Sequence, residues 1–373
     1  MMKKTVRTLL PLLAVLICVA LCFSMCGSGY EYAELNLRGE YTTELAGTVL
    51  NVYNWGEYIS DGGDGSIDVN KEFEKLTGIK VNYTTFDSNE TMYAQLKNGG
   101  VSYDIIIPSD YMIERLKNED MLRKIDFSKI TNFDLIDEKY KNMFYDPDNE
   151  YTATYNVGMV GLIYNSAMIP DEIDSWQALW DEKYKDQTLM FNNPRDAFGI
   201  AQFMLGQDLN NTNKSEWDAA KDLLIKQKKY LQSYVMDEVY AKMETGEAAI
   251  APYYAGDYLT MYEVNEDLKF VYPKEGTNIF VDSVCIPKNC RNYEAALMYI
   301  NFLLEPDIAL ANAEYIGYAS PNTAVVENED YCYYQNEILY PDEEHTPYTQ
   351  YFHDIDSDIK TYYEDLWIDI KLY

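Results

Sequence analysis

From Thr48 onward, the apolar positions along the chain switch repeatedly between two spacings. Thr48–Tyr53 is a short β-rich run, after which Val69, Phe73 and Leu76 recur along one helix face until Gly78 stops it. Ile79, Val81 and Tyr83 alternate as in a strand, and Asp87 or Ser88 can cap a helix running through Leu96. Ile105–Ile107 is apolar without a break, as in a parallel strand covered on both faces. The pattern loses regularity around Asn142–Asn156. It resumes as strand, helix, strand and helix over Val160–Tyr164, Ser175–Tyr184, Thr188–Phe191 and Ala197–Leu205. A helix over Glu216–Leu231 follows, then strands at Ala248–Ala251, Phe270–Tyr272 and Phe280–Ile286, and a helix Tyr293–Leu304 behind an Asn292 cap. Ile359, Tyr362, Tyr363, Leu366, Trp367 and Ile370 form a final helical stripe, expected to pack on the second domain. Strand–helix alternation in both halves predicts an α/β protein of two similar domains.

The segment ahead of this alternation is of another kind. Lys3, Lys4 and Arg7 precede an apolar stretch from Leu9 to Phe23, shorter than the roughly twenty residues a spanning helix needs. Residues 1–25 therefore read as a secretory signal peptide, and the rest of the chain as extracytoplasmic. Cys26, followed by Gly27-Ser28-Gly29, sits where a bacterial lipoprotein signal presents its acylated cysteine, although Met25 stands where Gly or Ala is usual. Lipidation at Cys26 is the leading expectation, beside an unlipidated secreted product or a retained N-terminal anchor; residues 26–46 would be a flexible linker.

Charge narrows the partners. The 373-residue chain has 62 acidic and 30 basic side chains, a net charge of −32 that becomes −35 once the three basic leader residues are removed. Such a surface repels nucleic acid and anionic lipid, and draws cations. Solubility alone would account for much of it. Cys285, Cys290 and Cys332 form no CxxC or His-Cys cluster, so no zinc site is expected, and buried thiols are the simplest reading beside a single disulfide. Asp61-Gly62-Gly63-Asp64-Gly65-Ser66 lacks the closing Glu of a calcium loop and reads as a flexible solvated insertion. No metal and no cofactor are assigned.

The expected strand ends carry the chemistry, because open parallel sheets bind ligands beyond their carboxyl edges. Asn54-Trp55-Gly56-Glu57-Tyr58, Pro108-Ser109-Asp110-Tyr111, Asn192-Asn193-Pro194-Arg195-Asp196 and Pro252-Tyr253-Tyr254-Ala255-Gly256-Asp257 all follow such strands. Each mixes aromatic rings with carboxylates. Rings stack on methylene chains and attract ammonium groups while carboxylates accept their hydrogen bonds, so the mixture suits an elongated amine. Asp196 and Asp257 could instead simply cap the helices that follow.

At these residues the chain resembles the spermidine/putrescine-binding proteins of bacterial polyamine ABC importers. The likeness runs through Leu50–Tyr58, Thr77–Val81, Ser88–Tyr93, Tyr103–Ser109, Arg195–Phe198, Phe280–Ser283 and Ile316–Asn322, in order over most of the mature chain. It implies a two-lobed periplasmic binding protein fold, type II-like, whose chain crosses between lobes near Val157 and Val281. Domain 1 would combine 47–157 with 282–325, and domain 2 would combine 158–281 with 326–373. The cleft between them would close on ligand by hinge motion.

Carried over, the family's ligand contacts fall on Trp55, Glu57, Tyr58, Ser109, Tyr111, Asp196, Tyr254, Phe280, Asp282 and Tyr318. Asp282 would take one terminal ammonium and Asp196 the other end or a secondary amine. Trp55, Tyr58, Tyr254 and Phe280 would wall the methylene chain, and Glu57 and Ser109 would add polar contacts. Asn193 stands where many relatives carry Asp, and Asp110, less usual at its position, is a candidate to compensate. The resemblance further implies delivery of polyamine to permease and ATPase subunits; a monomer is the default expectation for such a receptor, held at the membrane through the lipid expected on Cys26. Two other readings remain: the same fold taking another small cation such as a betaine or thiamine-like solute, or serving a sensor. A carboxylate hydrolase using Asp196 and Asp282 is the remote alternative. Only His345 and His353 are available as histidines, and no GxSxG, Walker or dinucleotide fingerprint occurs.

Overall fold

The structure, a computed structural model, describes residues 35–373. The expected signal peptide and Cys26 lie outside the described residues. Within them, eleven strands join in one sheet: β1 (Val49–Trp55), β2 (Lys80–Phe86), β3 (Ile105–Ile106), β4 (Leu122–Arg123), β5 (Thr152–Asn165), β6 (Thr188–Phe191), β7 (Leu231–Val235), β8 (Ile250–Tyr254), β9 (Leu268–Val271), β10 (Thr277–Pro287) and β11 (Thr349–Gln350). The main path runs β2-β1-β3-β10-β5-β8-β6-β7.

Each half of that path repeats one arrangement. In the first, β2, β1 and β3 are parallel and β10 lies antiparallel beside β3. In the second, β7, β6 and β8 are parallel and β5 lies antiparallel beside β8. Order second-first-third-return therefore occurs twice, and the two return strands pair with each other, Val157 opposite Val281. Two lobes result, each with the carboxyl ends of its parallel strands aligned at one edge.

Local signals set the boundaries. Gly78 ends helix Val69–Thr77 in the left-handed region, at φ 70°, donating its N–H to Glu74 O. Ser88, and not Asp87, caps helix Asn89–Asn98, its hydroxyl accepting from Thr91 N at 3.2 Å. Asn292 holds the cap position of helix Tyr293–Leu303, but its side chain bonds Val49 O and Asp104 instead.

Three expectations need correction. Ser175–Tyr184 is not an α-helix but two 3-10 turns, Trp176–Trp180 and Glu182–Tyr184, because the indoles are tied elsewhere: Trp176 to Gly276 O and Trp180 to Leu223 O. The irregular stretch ends at Thr152, where the fourteen-residue β5 begins. Helix Lys214–Gln227 stops short of Leu231, which opens β7. Helix Ser357–Leu372 lies on Lys214–Gln227 as its stripe implied, with Tyr363 stacked on Trp217 at 5.0 Å.

Residues 35–46 are not a loose linker. Glu305, fully buried, accepts Arg38 N and Gly39 N at 2.7 Å each and the Tyr41 hydroxyl at 2.6 Å, so the strap is docked on the first lobe. The glycine-rich insertion is likewise folded: Gly63–Gly65 forms a 3-10 turn, and Asp61 Oδ1 accepts from Gly63 N and Tyr315 OH. Cys285 is a buried free thiol and Cys290 a half-buried one. Among the described residues no helix is long and apolar enough to cross a membrane.

Asp104 holds the first lobe's sheet to its helices. Its carboxylate accepts Asn51 N, Arg291 N and Asn292 N at 2.9–3.0 Å. Burial pushes its pKa up, but those N–H groups outweigh burial and hold it below 3.8. A depressed carboxylate stabilises the fold above its unfolded pKa and loses that contribution as pH falls through the folded value. Asp104→Asn is expected to cost about 2 kcal/mol in urea unfolding at pH 7 and less at pH 3. An equal loss at both pH values would contradict this.

Candidate functional site

The strand ends of both lobes face one cleft enclosing about 800 Å³ of space between atoms, some of it open to solvent. Trp55 closes β1, and Glu57 and Tyr58 follow it. Ser109, Asp110 and Tyr111 follow β3, and Asn193 and Asp196 follow β6. Tyr254 closes β8, Phe280 and Asp282 come from β10, and Tyr318 follows helix Pro306–Ile316. All twelve residues singled out in the sequence line this cleft.

Its electrostatics are one-sided. Glu57, Asp87, Asp110, Asp196, Asp237, Asp257 and Asp282 line it, against Arg195 as the cation among the described lining residues. Arg195 is partly engaged: Nη2 donates to Asn210 Oδ1 at 2.9 Å and the guanidinium lies 4.5 Å above the Phe352 ring, while Nε and Nη1 are buried without partners and its charge favours ionised Asp196. Asp282 accepts the Tyr58 hydroxyl on Oδ2 at 2.6 Å, while its Oδ1 is buried without a hydrogen-bond partner. Burial lifts Asp282 to about 6, partly offset by the hydroxyls of Ser109 and Tyr58. Asp196 Oδ2 accepts from Asn193 Nδ2 at 2.7 Å and Tyr254 OH at 2.9 Å; burial raises it to about 7, with the Tyr254 bond pulling the other way. Asp257, taken by the hydroxyls of Tyr240 and Tyr318, is raised by burial to about 6. Carboxylates pushed up by desolvation regain their charge when a cation supplies what water no longer does.

Aromatic rings form the walls. Tyr254 meets Phe280 edge-on at 5.3 Å, Tyr58 meets Tyr318 edge-on at 5.0 Å, and Trp55 leans on Phe86 at 4.6 Å. Two glycines make room for them. A Cβ on Gly158 would come within 2.3 Å of Phe280, and one on Gly256 within 2.2 Å of Tyr318. Glu57 is held at φ 47°, an uncommon conformation for a residue other than glycine.

Helix capping does not explain the acidic residues. Asn193 caps helix Pro194–Leu205, accepting from Arg195 N, while Asp196 sits inside its first turn and faces the cleft. Asp110 accepts backbone N–H groups on both oxygens, from Tyr111 and Val281. The sequence reading missed Asp87, Asp237, Phe86, Arg195 and Phe352 as lining residues, and left Asp257 between a strand-end ligand group and a helix cap. Asp237 follows β7, a strand end concealed by extending the preceding helix to Leu231. Phe352 follows β11, which lies off the main path of the sheet, and no sequence signal marks it. Among the described residues, no group of three or more His, Cys, Asp or Glu side chains is placed to hold a metal ion.

The family model for bacterial extracellular solute-binding proteins matches residues 69–338. The chain belongs to that family. It is 36% identical over 324 residues to the spermidine/putrescine-binding periplasmic protein of Salmonella typhimurium, covering 86% of this chain and 91% of that one. The Escherichia coli K12 protein of the same name is 37% identical over 297 residues, 79% of this chain and 84% of that one. Among solved structures, a putative spermidine/putrescine ABC transporter protein from Listeria monocytogenes superposes with a TM-score of 0.82 at 37% identity, covering 87% of this chain and 99% of that one. The two-lobed fold is thus shared with binding proteins of transporters, and the family places this binding protein outside the cytoplasm.

A carboxylate with a raised pKa binds protons in the folded state that it has lost when unfolded, so its contribution to stability falls as pH rises between those values. For Asp196, Asp257 and Asp282 that window runs from about 4 to about 7. The ligand-free binding protein should melt higher at pH 5 than at pH 7.5 in calorimetry, with Asp282→Asn reducing the difference. A melting temperature that rises over this window, or an unchanged slope in the variant, would refute the assignment.

Proposed function

We propose that this binding protein captures a linear polyamine, spermidine or putrescine, in the cleft and delivers it to the permease and ATPase of an ABC importer. The observation that carries the reading is Asp282 Oδ1, a carboxylate oxygen buried without a donor inside an aromatic-walled cleft. An ammonium group supplies what that oxygen lacks, and the attraction strengthens as closing lobes exclude water. Asp282 takes one terminal ammonium and Asp196 the other end, with Trp55, Tyr58, Tyr254 and Phe280 along the methylene chain. Glu57, Ser109, Tyr111 and Tyr318 complete the contacts. Asn193 acts through Asp196, to which it donates. The relatives named for spermidine and putrescine support the ligand class.

The lobes divide at Val157 and Val281, with 47–157 and 282–325 in the first and 158–281 with 326–373 in the second. The pairing of those two valines on the return strands supports this division. The protein binds without turnover, as a monomer, and is anchored through a lipid on Cys26 after loss of residues 1–25. The docked strap at 35–46 would then tether the first lobe.

Calorimetric titration at about 0.15 M salt, which screens attraction to the acidic surface, tests the ligand. Spermidine or putrescine should bind one to one at micromolar strength or better, about 8 kcal/mol. Asp282→Asn should weaken binding by about 2 kcal/mol or more, and Trp55→Ala should weaken it as well. Unchanged affinity in both variants would mean the cleft is not the site.

A further inference from the structure

We propose that Asp110 is a positioning residue whose carboxylate completes the rung between β3 and β10 at Val281, and so holds Phe280 and Asp282 facing the cleft. This rests on the polyamine reading only for its effect on affinity. β3 is two residues long, yet its pairing with β10 continues past its end in one register. Ile106 pairs with Cys285, Ser283 N donates to Pro108 O at 3.1 Å, and Ser109 bridges Asp282. The next rung would join the backbone of residue 110 to Val281, but Asp110 opens helix Asp110–Asn118 and its backbone has turned away. Its side chain takes the place. Asp110 Oδ2 accepts Val281 N at 3.2 Å, and Oδ1 accepts Tyr111 N at 2.7 Å.

The position of this rung gives it its consequence. Val281 pairs on its other side with Val157, whose own N–H donates to Ala319 O, so three segments meet there. β5 pairs with β10 from Ile279 to Cys285; β3 and β4 hold it in addition toward Pro287, and β11 in addition at Thr277 and Asn278. Asp110 is therefore the first lobe's last grip on the strand before it enters the second. It borders the cleft but is wholly buried, and both its oxygens are committed to backbone N–H groups, so it acts through Val281. Strand neighbours alternate in direction, and fixing Val281 fixes the facing of Phe280 and Asp282 on either side. Without an acceptor, the Val281 N–H would be left buried and unpaired, and the strand would relax to find one.

Amide hydrogen exchange resolved at Val281 in the ligand-free protein, together with spermidine titration, tests the proposal on Asp110→Ala and Asp110→Asn. Asp110→Ala should speed exchange at Val281 at least tenfold while leaving Val284 unchanged, and should weaken spermidine at least tenfold. Asp110→Asn, which keeps one acceptor oxygen, should fall between it and the wild type in both readouts, and carries the test if the alanine variant does not fold. Unaltered exchange at Val281 would overturn the clamp whether or not any polyamine binds. Faster exchange with unaltered affinity, in a protein whose wild type binds spermidine, would overturn the positioning role. If the wild type binds no polyamine, the functional reading fails alone, and exchange still decides the clamp.

Discussion

A carboxylate taken out of water must be given a partner or give up its charge, and Asp282 has been given only half of one. Tyr58 satisfies Oδ2, while Oδ1 is buried without a hydrogen-bond partner, the Ser109 hydroxyl being the neighbouring group that favours its charge. Asp196 and Asp257 share the predicament in milder form, since phenolic hydroxyls are weaker company for a charge than a cation. The rest of the site follows from this shortfall. Rings supply burial, with phenolic hydroxyls as neutral donors to the carboxylates, and Arg195 is the single cation among the described lining residues.

The fold delivers these groups to one place by repeating itself. Two halves of one sheet, of the same strand order, each end at the cleft, and of the two return strands that pair between them β10 carries Phe280 and Asp282. Two residues that line the cleft thus lie on a strand that links the lobes. Close packing at Gly158 and Gly256 fits the same logic, because even a methyl group would displace Phe280 or Tyr318.

Much of this was legible in the sequence because period and position are local. Ile105–Ile107 announced a buried strand, and the mixture of rings and carboxylates after Tyr53, Ile107, Phe191 and Ala251 marked the cleft. What escaped depended on tertiary contact. Trp176 and Trp180 sit at helical spacing, yet their indole bonds to distant carbonyls select 3-10 turns. Asp237 was hidden by a helix extended four residues too far. Phe352 and the docking of the strap on Glu305 have no local signature at all. Asp110 looked like an extra ligand charge, and only the register of β3 against β10 shows its oxygens committed to backbone.

The account turns on what meets Asp282 Oδ1. An experimental structure of the protein crystallised with spermidine would answer this most directly. An ammonium nitrogen within about 3 Å of Oδ1, with the methylene chain between Trp55, Tyr254 and Phe280, is the predicted result. Spermidine bound elsewhere, or a closed cleft in which Oδ1 still lacks a cationic donor, would contradict it.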